Sequence, residues 1–225
     1  MVKGQFRMKR KRGYNSISDV IYEKFLDLIV SGRLGPGEKI TELGIAEAEG
    51  VSRAPVREAL KRLCEDRLVT LVPRSGCHVC EITREDVDEI FEIRKRLECL
   101  ALEYAMGHLD IDRVQNLKGR FLKCSKLDDG KVIAEEVKLD GQLHDMIHEA
   151  CNSRNLQDLL AKLIARVRFF RARGTRNAAK ARVALAGHID ILDAIIQGDR
   201  KRALKLLAEH IDVSRENSLE DLERR

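Results

Sequence analysis

The chain has 225 residues and carries 42 Lys and Arg against 37 Asp and Glu, a net charge of +5. No run approaches the roughly 18 apolar residues of a membrane span, and no apolar run follows the basic start as in a signal peptide, so we expect a cytoplasmic protein without a membrane partner. Hydrophobic residues make up 44% of the chain, with few aromatics and no Trp. Leu, Ile, Val and Ala must therefore fill the core, which favours helices.

The excess positive charge is confined to one part of the chain. Residues 1–80 hold 15 Lys and Arg against 10 Asp and Glu, whereas residues 81–225 hold 27 of each. A basic segment joined to a neutral one is typical of a nucleic-acid-binding module with a partner domain. Residues 1–13 form a basic tail, which is either a solvated terminus or a source of extra phosphate contacts.

Residues 14–80 have the pattern of a winged helix-turn-helix. Apolar residues recur at helical spacing over residues 16–31, and two shorter helices are predicted over 41–49 and from 52 to about 66. Gly50 makes the turn between those two helices, and two short strands, LVTLVP and GCHVC, form the wing. A helix, turn, helix and β-wing read DNA, so the sequence predicts a DNA-binding module.

Four residues are predicted to contact DNA. Arg53 lies in the first turn of the third helix, where it can reach a guanine or a phosphate, and Arg57 lies one turn further along the same face. Ser52 is expected to cap that helix and to touch a phosphate. Gly76, at the tip of the wing, allows close approach to the sugar-phosphate chain. For each arginine the alternative is a solvated surface charge.

The second part of the chain is predicted to be helical throughout. TRED at residues 83–86 resembles a capping box, and five interruptions divide the rest of the chain into about six helices linked by short turns. The interruptions lie near residues 107–110, 128–130, 152–155, 174–177 and 198–199. We therefore predict a mainly α fold, in which an N-terminal winged helix-turn-helix is followed by an antiparallel all-α bundle over residues 83–215 and a C-terminal tail over 216–225.

A possible metal site stands out in the bundle. Asp140 and His144 are four residues apart and share one helix face, and His188 and His210 flank the turn at residues 198–199 at similar distances. In a helical hairpin the two later histidines come level, so three imidazoles and a carboxylate could hold a divalent ion. The alternative is a set of satisfied core histidines, and His148, one further turn along, competes for a place in the site.

The wing contains a second motif that could carry chemistry. Cys77 and Cys80 have C-x-x-C spacing, which suggests a redox switch or half of a zinc site. Two thiols three apart on a strand point to opposite faces, and only His78 is a local third ligand. Most of the other cysteines occupy apolar positions and are interpreted as small buried hydrophobes.

These motifs resemble a known family. The run PGEKITE…EGVSRAPVREALKRLCEDRLV…GCHV is similar to the winged helix-turn-helix of GntR-family bacterial transcription regulators. That resemblance implies major-groove reading by the third helix, minor-groove entry by the wing, and DNA contacts from Ser52, Arg53, Arg57 and Gly76. The second helix departs from the family pattern, because Leu43 and Gly44 stand where a basic side chain can touch DNA.

The bundle resembles the FCD domain of the FadR-type subgroup. The matching pieces are EIRKRLECLALEYA, LDGQLHDMIHEACNSRNL and GHIDILDAIIQGDRKRALKLLAEHI. The resemblance implies that Asp140, His144, His188 and His210 hold a divalent transition metal, Zn, Ni or Mn. It also implies that Arg94 reaches the carboxylate of an effector, the alternative being a salt bridge to Glu98.

Together the two resemblances imply a homodimeric repressor on a pseudo-palindromic double-stranded operator, controlled by a small carboxylate that docks at the metal. Two alternatives remain open at this point. One is an architectural DNA-binding dimer without an effector. The other is a metal-dependent hydrolase or lyase, which would lack a general base paired with a nucleophile and would leave the DNA module unexplained.

Overall fold

The computed structural model describes residues 16–73, 75–174 and 177–223. The chain divides between Glu81 and Ile82 into two compact units. Within the described residues, the first unit contains three helices and a small sheet, and the second contains helices only. The predicted fold class, a winged helix-turn-helix followed by a helical bundle, is confirmed. The predicted basic tail at residues 1–13 lies outside the described residues.

The helices of the first unit begin and end at local signals in the sequence. They are α1 (Ile17–Val30), α2 (Glu42–Glu49) and α3 (Arg53–Glu65). Ser16 and Asp19 form a reciprocal capping box at the start of α1. Gly50 ends α2 in the left-handed conformation, with a φ of 65°, so the turn lies at the predicted residue. Helix α1 packs against α3 and supports its buried face.

A three-stranded antiparallel sheet completes the first unit. Its strands are β1 (Lys39–Ile40), β2 (Val69–Val72) and β3 (Gly76–Val79), in the order β1-β3-β2. Cys77 in the central strand pairs with Ile40 on one side and Leu71 on the other. The predicted wing strands are β2 and β3. Strand β1 was not predicted, because two residues are too few to show an alternating pattern.

Gly76 lies at the turn end of the wing, where the structure requires a glycine. It is the first residue of β3 and pairs with Val72 of β2. Its φ is +101°, and a Cβ there would lie 3.2 Å from the carbonyl oxygen of Ile40. The backbone conformation and the neighbouring strand therefore require glycine at this position without any appeal to DNA. A DNA contact by Gly76 stays a prediction.

The second unit is a bundle of helices joined by short turns. The described helices are α4 (Arg84–Ala105), α5 (Ile111–Cys124), α6 (Asp129–Ala150), α7 (Arg154–Gly174), α8 (Ala178–Ile196) and α9 (Arg200–Glu223). Every predicted interruption separates two of them, and the capping box at Thr83 and Asp86 is formed. Helices α4, α6, α8 and α9 pack against one another around buried aliphatic side chains such as Leu102, Leu143 and Ile191.

The end of α9 differs from the sequence expectation. A tail was expected from residue 216, but α9 continues to Glu223, and Ser218 and Leu219 are buried. The Ser218 hydroxyl donates to the carbonyl oxygens of Ser214 and Phe170, which ties this last part of the helix to α7. Across the described ranges, no helix is long and apolar enough to cross a membrane.

Candidate functional site

One face of α3 presents the predicted DNA-reading side chains. Arg53 and Arg57 are exposed, whereas Val56 and Leu60 on the opposite face are buried. Ser52 occupies the N-cap position with an extended backbone, but its side chain makes no capping hydrogen bond. The predicted capping by this hydroxyl is therefore wrong, although the exposed hydroxyl remains available for a phosphate.

Arg57 is held by an acidic residue of the preceding helix. Its Nε donates to Glu42 Oε1 at 3.1 Å and its Nη2 donates to Glu42 Oε2 at 3.0 Å. The hydrogen bond from Arg57 lowers the pKa of the Glu42 carboxyl. This side-on pairing uses one edge of the guanidinium and orients the rest of the group at the surface. Sequence reasoning missed Glu42, because the pair joins two helices that are brought together by the turn.

The wing thiols are arranged differently from a C-x-x-C redox pair. Cys77 is buried, and its thiol interacts with that of Cys64 in the last turn of α3. Burial, together with Cys64, raises the pKa of the Cys77 thiol to about 11. A thiol that stays protonated at neutral pH reacts slowly with oxidants, so this arrangement argues against a redox switch.

The four predicted metal ligands lie inside the bundle. Ligand atoms of Asp140, His188 and His210 lie within 4.8 Å of one another, whereas His144 forms a second such group with Glu98 and His148 and reaches the first through Asp140. Asp140 and His144 project from α6, His188 from α8 and His210 from α9. Asp140 Oδ1 lies 2.9 Å from Nε2 of His188, 3.4 Å from Nε2 of His210 and 3.5 Å from Nε2 of His144. Asp140 and His188 are fully buried and His144 is 3% exposed. One carboxylate oxygen is thus the common neighbour of three imidazole nitrogens.

The hairpin of α8 and α9 explains how two residues far apart in the sequence come together. The rings of His188 and His210 lie 4.3 Å apart, centre to centre, as expected for positions level with each other across the turn. Phe121 of α5 packs on the other side of His188, with ring centres 4.9 Å apart. The aromatic ring restricts the rotation of the imidazole, so the orientation of Nε2 toward Asp140 depends on α5 as well as on α8.

A second cluster adjoins the first through His144. The Nδ1–H of His144 donates to the carboxylate of Glu98 on α4, and His148 Nε2 lies 3.6 Å from the same carboxylate oxygen. Glu136 Oε1 lies 3.7 Å from His188 Nδ1 on the opposite side. Sequence reasoning missed Glu136 and named Glu98 only as a partner of Arg94. A signal existed for Glu136, since residues 136, 140, 144 and 148 are spaced four apart and form a continuous stripe on α6.

Arg94 lies beside both clusters and is 1% exposed. Its Nε donates to Glu98 Oε1 at 2.6 Å, and its Nη2 lies 3.0 Å from His144 Nε2. Burial opposes ionisation of Glu98, but the charge of Arg94 and the hydrogen bond from His144 outweigh it and hold the pKa of the Glu98 carboxyl well below its ordinary value. The salt bridge considered from the sequence is therefore formed.

The donor set fits a borderline divalent ion. Adjacent ligands of an ion with bonds of about 2.1 Å lie roughly 3.0–3.4 Å apart, and the distances from Asp140 Oδ1 to the three nitrogens are of that size. Three imidazoles and one carboxylate suit Zn²⁺, Ni²⁺ or Mn²⁺, and the set does not select among them. The contacts of His144 and His188 with Glu98 and Glu136 would orient the rings, as partners of metal-bound histidines commonly do.

Comparison with known proteins identifies both units. Residues 17–79 match the gntR family of bacterial regulatory proteins, and residues 89–213 match the FCD domain. The chain belongs to the GntR family and carries an FCD domain. As a GntR-family protein with these two domains it is a DNA-binding transcription regulator and not an enzyme, and its partner is DNA.

Relatives agree with this family, and a solved structure shares the fold. The HTH-type transcriptional regulator YdhC of Bacillus subtilis is 28% identical over 192 residues, which cover 85% of this chain and 86% of that protein. The gluconate operon transcriptional repressor of Bacillus licheniformis is 27% identical over 192 residues, covering 82% and 77%. E. coli McbR/YncC shares the fold with a TM-score of 0.75 at 22% identity, over 93% of this chain and 99% of that one.

Proposed function

We propose that this GntR-family protein is a homodimeric repressor whose affinity for its operator is controlled by a small carboxylate metabolite bound at a metal ion in the FCD bundle. The observation that carries the proposal is the convergence of three imidazole nitrogens on one buried carboxylate oxygen, Asp140 Oδ1. Asp140, His144, His188 and His210 would hold the ion. When bound, the ion would supply a Lewis-acidic position at which a carboxylate can bind.

Arg94 supports the choice of a carboxylate. It is a buried cation next to the proposed ligands, and its Nη1 has no hydrogen-bond partner among the described residues. A buried guanidinium donor without a partner costs free energy, and a carboxylate oxygen would satisfy it. An anionic ligand would also offset the positive charge that a divalent ion brings beside Arg94.

The first test is to replace His188 with alanine. We expect metal affinity to fall by more than the roughly 10–100-fold that loss of a residue supporting a ligand costs, because a ligand itself is removed. Metal content is measured by elemental analysis and native mass spectrometry of the same sample, and operator binding is measured with a panel of small carboxylates. The matched control is His108→Ala, which removes an exposed histidine outside both clusters.

Three results would count against the proposed function. Full metal content in the His188→Ala protein would contradict the assigned ligand. A wild-type protein that is free of metal and cannot be loaded would make the four residues a polar core cluster. Operator binding that is indifferent to every carboxylate would favour an architectural protein without an effector.

A stripe on α4 supports the homodimer. Ile93, Leu97, Leu100 and Tyr104 follow the 4-3-4 spacing of a coiled-coil seam, and three of the four are exposed while the opposite face of α4 is buried. We propose that a second copy of the chain covers this stripe. A two-fold dimer also matches a pseudo-palindromic operator, because each copy would read one half-site.

Replacing Leu100 with glutamate should shift the protein toward the monomer. A charge at the centre of an apolar seam loses hydration on association without gaining a partner, whereas the exposed position in the monomer tolerates it. Sedimentation at several protein concentrations measures the change. Leu122→Glu on α5, at a comparably exposed leucine, is the control and should leave the mass unchanged. An unaltered dimer in the Leu100 variant would mean that another surface forms the interface.

A further inference from the structure

The guanidinium of Arg94 touches one of the proposed metal ligands directly. Its Nη2 lies 3.0 Å from Nε2 of His144, the same nitrogen that faces Asp140 at 3.5 Å. Its Nε is bound to Glu98 Oε1 at 2.6 Å, and its Nη1 is buried without a hydrogen-bond partner in the described ranges. Of the three guanidinium nitrogens, one is bound to a carboxylate, one contacts an imidazole, and one has no hydrogen-bond partner among the described residues.

The chemistry of the partners fixes the direction of both hydrogen bonds at His144. Arginine can only donate, so Nε2 of His144 must present its lone pair to Arg94. An ionised Glu98 can only accept, so Nδ1 of His144 must carry the proton. The lone pair of Nε2 that would bind a metal therefore faces Arg94.

We propose that Arg94 and the metal ion compete for Nε2 of His144, and that arrival of the metal frees Arg94 to bind the carboxylate of the effector. This inference rests on the proposed function, since it concerns the same site. One lone pair serves one partner at a time. With a metal on the lone pair of Nε2, Nη2 of Arg94 would lose its hydrogen-bond acceptor. Both terminal nitrogens would then lack an acceptor, because Nη1 has none among the described residues.

The contact with Glu98 determines what the released side chain can do. Because Nε stays bound to Glu98, the guanidinium remains anchored by one edge while its two terminal nitrogens are free. Two parallel N–H donors match the two oxygens of a carboxylate, so the two terminal nitrogens form a fork that can bind a carboxylate through two hydrogen bonds. While Nη2 contacts His144, this fork is incomplete. The metal therefore binds first, and the carboxylate second.

The charges predict favourable coupling between the two ligands. A divalent ion beside Arg94 places two cations in a buried site, and a carboxylate offsets their repulsion. The carboxylate should therefore strengthen metal binding, and by thermodynamic linkage the metal should strengthen carboxylate binding by the same factor. Arg94 carries this coupling, and it also weakens metal binding when no carboxylate is present.

The test measures Zn²⁺ affinity of the full chain by competition with a chromophoric chelator, in sodium acetate and in matched sodium chloride. In chloride, we expect Arg94→Met to bind Zn²⁺ about tenfold more tightly than wild type, because a hydrogen bond from a charged donor no longer competes. In acetate, wild-type affinity should rise and that of Arg94→Met should not. Arg113→Met, which deletes an exposed arginine on α5, should behave as wild type in both salts.

Two further measurements keep the test decisive if Arg94→Met folds poorly. Arg94→Lys keeps a cation beside Glu98, but an ammonium group cannot make the paired hydrogen bonds of a guanidinium to a carboxylate. The increase in Zn²⁺ affinity caused by acetate should therefore be lost. In wild type, titration calorimetry should show acetate binding to the Zn²⁺-loaded protein and none to the metal-free protein.

The outcomes separate this inference from the proposed function. Equal or weaker Zn²⁺ binding by Arg94→Met, or an equal acetate effect in wild type and Arg94→Lys, would overturn the competition while leaving the metal site standing. Acetate binding to metal-free wild type would overturn the order of binding. A wild-type protein that binds no Zn²⁺, Ni²⁺ or Mn²⁺ would overturn both.

Discussion

Replacing Arg57 with alanine should weaken binding to the specific operator by about 1–3 kcal/mol, which is the discrimination that one arginine–guanine pair supplies. The exposed guanidinium projects from the first two turns of α3, where a recognition helix contacts base edges, and Glu42 already fixes its orientation. The operator is first obtained by selection from random double-stranded DNA, and binding is then measured against matched and mutated half-sites.

Two control variants make the result interpretable. Lys61→Ala removes an exposed cation further along α3 that pairs with Glu65. This variant should weaken binding to the operator and to random DNA equally, and by less than Arg57→Ala weakens operator binding. Glu42→Gln keeps the size of the side chain but releases Arg57, so it should reduce discrimination between sites more than total affinity. Unchanged operator affinity in the Arg57 variant would remove Arg57 from the reading face.

Replacing Phe121 with alanine should lower the free energy of unfolding of the bundle by about 3–5 kcal/mol. The ring is completely buried in α5 and packs on the imidazole of His188, so its removal leaves a cavity that the surrounding helices cannot fill. Urea denaturation of the metal-free protein, followed by circular dichroism, measures the change. The exposed neighbour Leu122, changed to alanine, should cost less than about 1 kcal/mol.

A milder variant at the same position links packing to the site. Phe121→Leu keeps most of the apolar volume but removes the flat ring against His188, so the folded protein should bind Zn²⁺ less tightly because the imidazole is no longer held in one orientation. Zinc affinity equal to that of wild type in this variant would show that the ring fills space without orienting His188.

The helices could be predicted from the sequence because their ends carry local signals. Thr83 and Asp86 mark the start of α4, and Gly50 marks the end of α2, and each acts through hydrogen bonds or backbone angles within a few residues. The end of α9 carries no such signal, and the buried Ser218 there is hydrogen-bonded to Phe170 of α7, which lies far away in the sequence. An expectation based on local pattern therefore ended the helix too early.

The candidate site was predictable only where its members share a helix or a hairpin. The four-residue spacing of Asp140 and His144 and the symmetry of His188 and His210 about a turn are visible in the sequence. Glu98 joins the site from α4 by packing, and no spacing in the chain relates it to His144. Likewise, the position of Gly76 is visible in the sequence, but the carbonyl of Ile40 that makes glycine necessary there is not.

The pairing of Arg57 with Glu42 has a consequence for how the protein searches for its operator. With its charge matched by a carboxylate, Arg57 adds little to the attraction between the protein and DNA of arbitrary sequence, which other cations must supply. A guanine contact made by the remaining edge of the guanidinium, with Glu42 still paired, therefore releases few counterions. We therefore expect rising ionic strength to weaken capture of DNA strongly, while the preference for the operator over other sites changes much less.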